Sequence, residues 1–375
     1  MKKILFITGT RADYGKIKPL IRAIEDSDKF EAYIYVSGMH VIPMFGNTYK
    51  EVLKDKYKNI YVDFGLVHSN SMSLNLGNVI CRLSGYVQHV NPDMIVVHGD
   101  RIDAMAGAVV GALNNIKVAH IEGGEISGTI DESIRHAISK FAHIHFVCNE
   151  EAKKRLVQMG ESKEHIYIIG SPDIDIMLSD KLPTLEMAKE KYEIPFDEYG
   201  ILMYHPVTTE YNKVPDNIKH VVDAVLKSNE NYVVIYPNND QGSEFILNEY
   251  KRLKDNDKIC IYPSVRFEYF LTLLKNAKFV LGNSSAGVRE TGVYGIPAID
   301  VGNRQTGRYS INMIKNIQHV MKNEEAICNA IKNIGNYKTK GSFYGDGNSV
   351  NKFMEILNRS ELWELELQKK FVEKE

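Results

Sequence analysis

The chain has 375 residues, of which 44% are hydrophobic and 25% are charged, and its formal net charge is −2 at neutral pH. This length favours two domains over one, and the composition is that of an ordinary globular protein. Because the net charge is close to zero, a general electrostatic attraction to nucleic acid or to a membrane surface is excluded, and an anionic ligand would need local basic groups.

Short apolar runs alternate with helical patterns from the start of the chain to about residue 170. The runs at 4–7, 32–36, 60–62, 94–97, 118–121, 144–147 and 166–169 predict strands. After the first run, Ile17, Leu20, Ile21 and Ile24 recur at helical spacing, and Pro19 would be tolerated in the first turn of such a helix. Repeated strand–helix units predict a doubly wound α/β domain with a parallel sheet.

The alternation is interrupted between 171 and 199, where Pro172, Pro183, Pro195 and many charges predict the connection between two domains. It resumes with predicted strands at 201–204, 232–236, 259–262, 279–281 and 298–301. Two such sheets in tandem predict paired Rossmann-like domains at about 1–175 and 190–354, with a ligand in the cleft between them. The segment at 351–375 is expected to be helical and charged.

Acidic side chains follow two predicted strands of the first domain. Asp100 comes just after the run at 94–97, and Glu122 just after the run at 118–121. In an open parallel sheet both acids would lie at the carboxyl edge, where ligands bind. Two carboxylates at one crevice suit acid–base chemistry or the stabilisation of a cation.

Asp131 is a third acidic candidate, in the first turn of a predicted helix. Thr129 and Glu132 match a capping box, and the helix dipole alone would favour an acid at this position. A functional role requires the loop to bring Asp131 to the first two acids. Three carboxylates close together would raise the pKa of at least one of them by mutual repulsion.

The motif GTRADYGK at 9–16 is a candidate anion site, because it follows a strand and leads into a helix N-terminus. Arg11 could add a bidentate clamp, although a tight turn with a surface arginine would have the same pattern. The motif does not match the G-x-G-x-x-G fingerprint, so a nicotinamide cofactor is not indicated.

The motif GNSSAGVRE at 282–290 has the same strand–turn–helix pattern. Ser284 and Ser285 would add two hydroxyls to the backbone N–H groups, and such a nest fits a phosphate without a metal. Glu290, about a turn and a half into the predicted helix, could accept hydrogen bonds from a ribose. An ordinary serine N-cap is the structural alternative.

Four other polar residues of the second half are weaker candidates. His205, in HPVTT, follows a predicted strand and could donate to a phosphate or transfer a proton. Asn238 lies in the polar loop YPNND, for which a turn is the default interpretation. Arg266 and Arg304 are possible phosphate clamps, although a single arginine is more typical of a surface.

The cysteines and the apolar segments indicate the cell compartment. Four widely spaced cysteines without a C-x-x-C pair predict reduced thiols in a cytoplasmic protein, with no zinc site and no disulfide framework. The apolar run at 4–7 is too short for a signal peptide, and no run is long enough to span a membrane.

Taken together, the motifs resemble the hydrolysing UDP-N-acetylglucosamine 2-epimerases of sialic acid biosynthesis. They are, in chain order between residues 8 and 308, GTRADYGK, HGDR, HIEGGEISGTIDESIRH, HPVTT, YPNND, GNSSAGVRE and GNRQTGR. The TRADYG start and the GTIDESIRH segment resemble the hydrolysing branch, whereas the related non-hydrolysing enzymes usually continue differently after the first GTR.

The resemblance implies an α/β fold of GT-B type: two Rossmann-like, doubly wound domains with an interdomain cleft and a C-terminal helix at about 355–375 that packs back on the first domain. It implies conversion of UDP-N-acetylglucosamine and water to N-acetylmannosamine and UDP, with no metal or cofactor, by a homodimer or homotetramer. A UDP-sugar would be the partner, with no nucleic acid and no membrane.

The resemblance also implies roles for individual residues. Asp100 would stabilise a cation or act as an acid–base partner, and Glu122 and Asp131 would form the proton-transfer pair. The nucleotide contacts would fall on Arg11, Arg101, His205, Asn238, Arg266, Ser284, Ser285, Glu290 and Arg304, and Arg266 is carried over on the least diagnostic segment.

Four other functions fit parts of the pattern. Some relatives act on UDP-2,4-diacetamido-2,4,6-trideoxyglucose for legionaminic acid, and the motifs do not report the groups at C-4 and C-6 of the sugar. A GT-B glycosyltransferase would pass the sugar to an acceptor, but it has no ready use for three acids. A non-catalytic sensor would bind without turnover, and a reversible epimerase would retain UDP.

Overall fold

A computed structural model describes residues 1–69, 71–127, 129–309, 314–341, 343–370 and 372–373. Its strands are β1 (Lys2–Thr8), β2 (Phe30–Val36), β3 (Ile60–Val62), β4 (Met94–His98), β5 (Lys117–Ile121), β6 (Ile144–Val147), β7 (Ile166–Ile168), β8 (Gly200–Met203), β9 (Tyr232–Ile235), β10 (Ile259–Tyr262), β11 (Phe279–Gly282), β12 (Ala298–Val301) and β13 (Ile317–Val320). Each strand predicted from the sequence is present, with ends shifted by at most a few residues. The strand β13 was not predicted.

The helices alternate with the strands along most of the chain. They are α1 (Arg11–Glu25), α2 (Tyr49–Lys54), α3 (Met72–Val90), α4 (Ile102–Leu113), α5 (Ile130–Phe141), α6 (Glu150–Gln158), α7 (Pro172–Met177), α8 (Leu185–Lys191), α9 (Val214–Ser228), α10 (Ser243–Tyr250), α11 (Phe267–Lys275), α12 (Glu290–Tyr294), α13 (Glu324–Lys332), α14 (Ser349–Leu357) and α15 (Ser360–Trp363). In the part of the chain that the structure describes, no helix is long and apolar enough to cross a membrane.

The chain forms two compact units. The first unit comprises Met1–Glu125, Asp131–Ser179 and Tyr344–Glu375, and the second comprises Ile126–Ile130 and Asp180–Phe343. The second unit thus ends at 343 rather than at the expected 354. The stretch at 171–199, expected to be only a connection, contains the short helices α7 and α8.

The sheet of the first unit has seven parallel strands in the order β3-β2-β1-β4-β5-β6-β7. The inner strands β1 and β4 are almost wholly buried apart from the first residues of β1, as expected when helices cover both faces of a parallel sheet. The strand order reverses between β1 and β4. The loops after these two strands therefore flank a topological switch point, which is where ligands bind in this class of sheet.

The second unit repeats this plan with six parallel strands in the order β10-β9-β8-β11-β12-β13. Its strand order reverses between β8 and β11, so the loops after these strands flank a second switch point. A separate hydrophobic core, which includes Leu202, Val222 and Leu281, supports this sheet.

The start of α1 differs from the sequence-based expectation. The expected helix would have placed Pro19 in its first turn, but α1 begins at Arg11 and Pro19 lies in its interior. Thr10 and Asp13 form a capping box: the Thr10 hydroxyl accepts from the backbone N–H of Asp13, and the Asp13 carboxylate accepts from that of Thr10. This reciprocal cap defines the helix start several residues earlier than the apolar spacing indicated.

The C-terminal segment differs as well. The expected long helix is two short ones, α14 and α15, and the described residues after α15 are not helical. Phe353, Leu357 and Leu362 are buried in the core of the first unit. The apolar residues of this segment thus pack on the first unit although the chain does not stay helical to its end.

Candidate functional site

Asp100 and Glu122 follow neighbouring strands of the first unit. Asp100 lies in the turn after β4, and Glu122 comes directly after β5, which pairs with β4. The backbone N–H of Gly99 donates to the carbonyl of Ile121 at 2.9 Å, so the two chain segments remain hydrogen-bonded at the edge of the sheet. The polar residues of both motifs therefore emerge side by side, beside the switch point.

Glu122 is a buried carboxylate on a strained backbone. Its φ angle is +64°, a left-handed backbone conformation that residues other than glycine, asparagine and aspartate rarely adopt. Ser171 donates from its hydroxyl to one carboxylate oxygen, and His98 Nε2 lies 3.3 Å from the other. Such strain is held by the surrounding structure and is common at functional sites.

Asp131 lies in the first turn of α5 and is buried. One turn further along, Arg135 is only 1% exposed, and it donates to the carboxylate of Asp100 and, at 3.0 Å, to the carbonyl of Glu125. Burial opposes the charge on this guanidinium, but the negative charges of Asp100, Glu125 and Asp131 outweigh it and raise the pKa of Arg135. Asp100 and Asp131 are thus gathered around one buried cation, which the sequence analysis did not identify.

The GTRADYGK turn contains two functional candidates that the sequence analysis missed. Asp13 is buried and accepts from the Thr8 hydroxyl; burial raises its pKa to about 6, despite that hydrogen bond. The capping-box spacing of Thr10 and Asp13 was the available signal. Lys16 forms a buried ion pair with Asp173, at 3.1 Å, and nothing in the spacing identified that distant partner.

Arg11 and Arg101, the two arginines proposed for nucleotide contacts in the first unit, lie at helix starts. Arg11 is the first residue of α1, and its guanidinium is 4.0 Å from Glu51. Arg101 is the N-cap residue of α4 and is near Asp103. Burial raises the pKa of Asp103, although a 2.6 Å hydrogen bond from Ser37 and the charge of Arg101 oppose the rise. Both arginines follow the strands that flank the switch point.

Asn283 organises the corresponding edge of the second unit. Its side-chain oxygen accepts from the backbone N–H of His205 at 2.7 Å, and its amide group donates to the His205 carbonyl at 2.9 Å. The carbonyl of Asn283 accepts from Arg304 at 3.3 Å and from Gln305 at 2.8 Å. Gly282 allows the end of β11 to lie close to the backbone of Met203, because a Cβ atom at position 282 would lie 2.0 Å from the carbonyl oxygen of Met203.

His205 is held in one neutral tautomer. The backbone N–H of Asn238 donates to His205 Nδ1 at 3.0 Å, so the ring proton of the neutral form lies on Nε2. The structure thus brings together His205, Asn238 and Arg304, which the sequence analysis had proposed separately. It adds Asn283 and Gln305, which the sequence analysis did not propose. Their positions beside the proposed residues of the GNSS and GNRQ motifs were the signal that could have identified them.

The GNSSAGVRE segment differs in part from the expected helix. Ser284 caps a three-residue 3₁₀ turn by accepting from the N–H of Ala286 at 3.3 Å, and Ser285 is the first residue of that turn. Glu290 begins the short helix α12 instead of lying a turn and a half into a longer one. Hydrogen bonds from residue i+3 to residue i tighten the turn and separate it from α12.

Arg266 lies at the start of α11 in the second unit. It is the N-cap residue of α11, its Nε donates to Glu268 at 3.1 Å, and its backbone N–H donates to the Tyr192 hydroxyl at 2.8 Å. These contacts do not link it to the group around His205. For metals, the described residues contain no cluster of three or more His, Cys, Asp or Glu side chains that could hold an ion.

Comparisons with known proteins agree on one family. A family model described as UDP-N-acetylglucosamine 2-epimerase matches residues 22–358. A protein of Neisseria meningitidis serogroup B named UDP-N-acetylglucosamine 2-epimerase is 48% identical over 378 residues, which cover 100% of this chain and 99% of that protein. A Legionella pneumophila protein named UDP-N,N'-diacetylbacillosamine 2-epimerase (hydrolyzing) is 32% identical, over 95% of this chain and 96% of its own length.

Solved structures show the same fold. The UDP-GlcNAc 2-epimerase of Methanocaldococcus jannaschii in complex with UDP-GlcNAc and UDP has a TM-score of 0.80 at 23% identity, over 95% of this chain and 99% of that chain. The predicted fold class, an α/β chain with two Rossmann-like domains of GT-B type, is confirmed. From the family match and the full-length similarity, the chain belongs to the UDP-N-acetylglucosamine 2-epimerase family.

Proposed function

We propose that the chain is a hydrolysing UDP-N-acetylglucosamine 2-epimerase, which converts its substrate and water to N-acetylmannosamine and UDP. The observation that carries the proposal is the buried guanidinium of Arg135, which gathers Asp100 and Asp131 beside the segment that bears Glu122. Acids that share one cation can stay ionised in a buried site, and this suits them to receive and return protons.

The first step is the elimination of UDP. The anomeric C–O bond breaks, and its electron pair leaves with the UDP anion. The developing positive charge at C-1 is stabilised by Asp100, and it makes the hydrogen at C-2 acidic. A carboxylate of the pair Glu122 and Asp131 takes that proton, a C-1–C-2 double bond forms, and the product is 2-acetamidoglucal.

The second step is hydration of the glycal. Water adds at C-1 while a proton is delivered to C-2 from the face opposite to the one that lost it. This gives the manno configuration and leaves a free sugar, since UDP has already departed. Glu122 and Asp131 are proposed to share these two transfers, one on each face.

The second unit is proposed to bind UDP. His205 has its ring proton on Nε2, which makes this atom a hydrogen-bond donor suited to a phosphate oxygen. Arg304 adds a positive charge that a pyrophosphate requires, and Ser284 and Ser285 add hydroxyls. Asn238 and Glu290 are proposed to contact the nucleoside. Arg266 is proposed as a nucleotide contact on the resemblance alone. In the first unit, Arg11 and Arg101 are proposed to contact the phosphates.

The test is incubation with UDP-N-acetylglucosamine in deuterated water, followed by NMR of the products. The proposal expects free UDP and N-acetylmannosamine that carries deuterium at C-2. A non-hydrolysing epimerase would instead place deuterium in UDP-linked sugars without net UDP release. A glycosyltransferase would release little UDP until an acceptor is added, and a sensor would bind the substrate without turnover.

A second substrate has a specific observation in its favour. The Legionella relative is named as a hydrolysing 2-epimerase of UDP-N,N'-diacetylbacillosamine, and the proposed chemistry at C-1 and C-2 would be the same. The higher identity to the Neisseria protein favours UDP-N-acetylglucosamine and, with it, a place in sialic acid biosynthesis. A comparison of kcat/KM for the two sugar nucleotides tests which of them is the preferred substrate. That the protein is cytoplasmic, and that it forms a homodimer or homotetramer, both stay predictions from the sequence.

A further inference from the structure

Three segments of the first unit bear the proposed catalytic carboxylates: the turn that contains Asp100, the residues after β5 that contain Glu122, and helix α5 with Asp131. The side chain of His120 contacts the first and the last of these segments, and its own backbone lies on β5, which leads directly into the segment with Glu122. His120 lies on β5, two residues before Glu122, and it is fully buried.

The imidazole of His120 bridges the other two segments. Its Nε2 is 2.8 Å from the carbonyl oxygen of Gly99, the residue before Asp100, and its Nδ1 is 3.0 Å from the hydroxyl oxygen of Ser139 on α5. A carbonyl oxygen can only accept, so Nε2 carries the proton and donates to Gly99, while Nδ1 accepts from Ser139. Both ring nitrogens are thus used, each in one role.

Two further observations indicate that this bridge has a defined geometry. Burial lowers the pKa of His120 to about 3, so the ring stays neutral and keeps one tautomer across the physiological range. Gly123 follows Glu122 directly, and a Cβ atom there would lie 2.8 Å from His120 Nδ1 and 2.9 Å from the Ser139 hydroxyl oxygen. The absence of a side chain at Gly123 therefore leaves space for the contact between the His120 ring and Ser139 of α5.

We propose that His120 is a positioning residue, which holds the Asp100 turn and α5 against β5 and so sets the distances among Asp100, Glu122 and Asp131. The inference rests on the proposed function for the identity of the carboxylates. His120 makes the hydrogen bonds of its ring to Gly99 and Ser139 and not to the acids. Its effect on the reaction comes through the carboxylates, because a displacement of about 1 Å in a catalytic group costs on the order of 100-fold in rate.

The two hydrogen bonds can be removed separately. In His120→Gln the terminal amide nitrogen lies near the former Nε2 and can donate to Gly99, whereas the bond to Ser139 is lost. In His120→Asn the amide oxygen lies near the former Nδ1 and can accept from Ser139, whereas the bond to Gly99 is lost. Ser139→Ala removes only the second bond and should match His120→Gln.

A matched control is His145 on the neighbouring strand β6. It is the register partner of His120 and is also buried, but its Nε2 contacts Glu161 at 3.1 Å instead of the segments that bear the acids. His145→Gln therefore changes a buried histidine of the same sheet but removes neither hydrogen bond of the His120 ring. It separates a positioning effect from a general loss of packing.

The expected result is a fall in kcat of about 10- to 100-fold for His120→Gln and His120→Asn, with KM changed by less than about 3-fold. Misplaced acids should also complete fewer hydration steps, so these variants should release a larger fraction of 2-acetamidoglucal. His145→Gln should keep the kcat and the product ratio of the wild type. The inference is overturned if the His120 variants, compared per folded molecule, behave like His145→Gln.

Hydrogen–deuterium exchange of the unliganded proteins gives a readout that does not depend on turnover. His120→Asn should speed amide exchange around residues 99–101, and His120→Gln should speed it in α5, whereas His145→Gln should do neither. If the wild type fails to convert UDP-N-acetylglucosamine but the exchange pattern is found, the proposed function falls and the positioning role stands. If the wild type is active and exchange in these segments is unchanged, the positioning role falls.

Discussion

The guanidinium of Arg135 donates to the carboxylate of Asp100, and this ion pair joins α5 to the turn after β4. Arg135 is buried, whereas the Asp100 side chain is 22% exposed. The pair therefore places the charge of one proposed catalytic acid at the edge of the interior and fixes it to the helix that bears another. Stability and catalysis should both depend on this contact.

Replacing Arg135 by methionine should destabilise the protein by about 2 to 4 kcal/mol in the free energy of unfolding, since the acids around it lose their buried cation. Urea titration measures the loss, and kcat should fall by at least about 100-fold because Asp100 is no longer held. Lys370→Met is the control: Lys370 pairs with Glu366, both are largely exposed, and the change should be below about 0.5 kcal/mol. Equal losses in the two variants would contradict the assignment.

Asp100→Asn, Glu122→Gln and Asp131→Asn should each lower turnover by about 100- to 10,000-fold, the usual contribution of an acid–base group. Glu132→Gln is a matched control beside Asp131, because Glu132 lies 3.6 Å from His136 on the same helix and is assigned no chemical role. It should keep turnover within about 3-fold of wild type. Full activity of all three variants, on UDP-N-acetylglucosamine and on the diacetamido substrate, would remove the carboxylates from the mechanism.

The backbone conformation of Glu122 leads to a prediction that is opposite to the usual order of stability of glycine and alanine variants. Glycine is normally less stable than alanine in a folded element, but the φ angle of +64° at this position suits glycine. Glu122→Gly should therefore be more stable than Glu122→Ala by about 1 kcal/mol, while both are inactive.

The same pair of substitutions at Glu132 supplies the comparison. This residue lies in α5 with a right-handed helical backbone, so Glu132→Ala should be more stable than Glu132→Gly by about 1 kcal/mol. Thermal or urea unfolding of the four variants tests the prediction. If alanine is the more stable choice at both positions, Glu122 is not strained.

How far the sequence predicts this protein depends on whether a feature is local. The buried strand β4 is a continuous apolar run and was predicted, whereas β13 was missed because Gln318 and His319 interrupt its apolar pattern. Asp100 and Glu122 were placed together because parallel topology puts strand ends at one edge. The burial of Arg135 could not be predicted, since it depends on acids brought from other segments by the fold.

The stability of the protein should depend on the protonation of Asp13. Burial raises its folded-state pKa to about 6 from an ordinary value near 3.8, so the folded state binds the proton more tightly than the unfolded state. This contribution to stability is fully present below about pH 4 and is lost as the pH rises through about 6. Asp13→Asn cannot ionise, so its stability relative to wild type should rise over that window by on the order of 2 to 3 kcal/mol.

Glu161 gives the opposite sign and serves as the control. Burial opposes its ionisation, but hydrogen bonds and charge from His145, Lys140 and Lys369 outweigh burial and lower its pKa to about 2. The stability it contributes is present above about pH 4.5 and is lost as the pH falls toward 2, so Glu161→Gln should be destabilised most at neutral pH. Urea titrations at several pH values measure both differences, and differences independent of pH would contradict both pKa shifts.

In the second unit, Asn283 should control UDP binding through two partners. Its side chain holds the backbone of His205 by two hydrogen bonds, and its carbonyl accepts from Arg304. Asn283→Ala removes the first pair of contacts and leaves the carbonyl in place. Calorimetric titration with UDP should show a loss in affinity of about 10-fold or more, because each lost bond leaves a partly buried backbone group of His205 without this hydrogen bond.

Asn316→Ala is the matched control for Asn283. Asn316 is also buried in the second unit, where its amide donates to the Thr291 hydroxyl at 3.0 Å and to the Ile296 carbonyl at 2.8 Å. Both variants should therefore lose stability through broken buried hydrogen bonds, but only Asn283→Ala displaces the residues proposed to hold the pyrophosphate. If the two variants bind UDP equally well, then Asn283 stabilises the sheet edge without shaping a nucleotide site, and His205 and Arg304 lose the support on which their assignment depends.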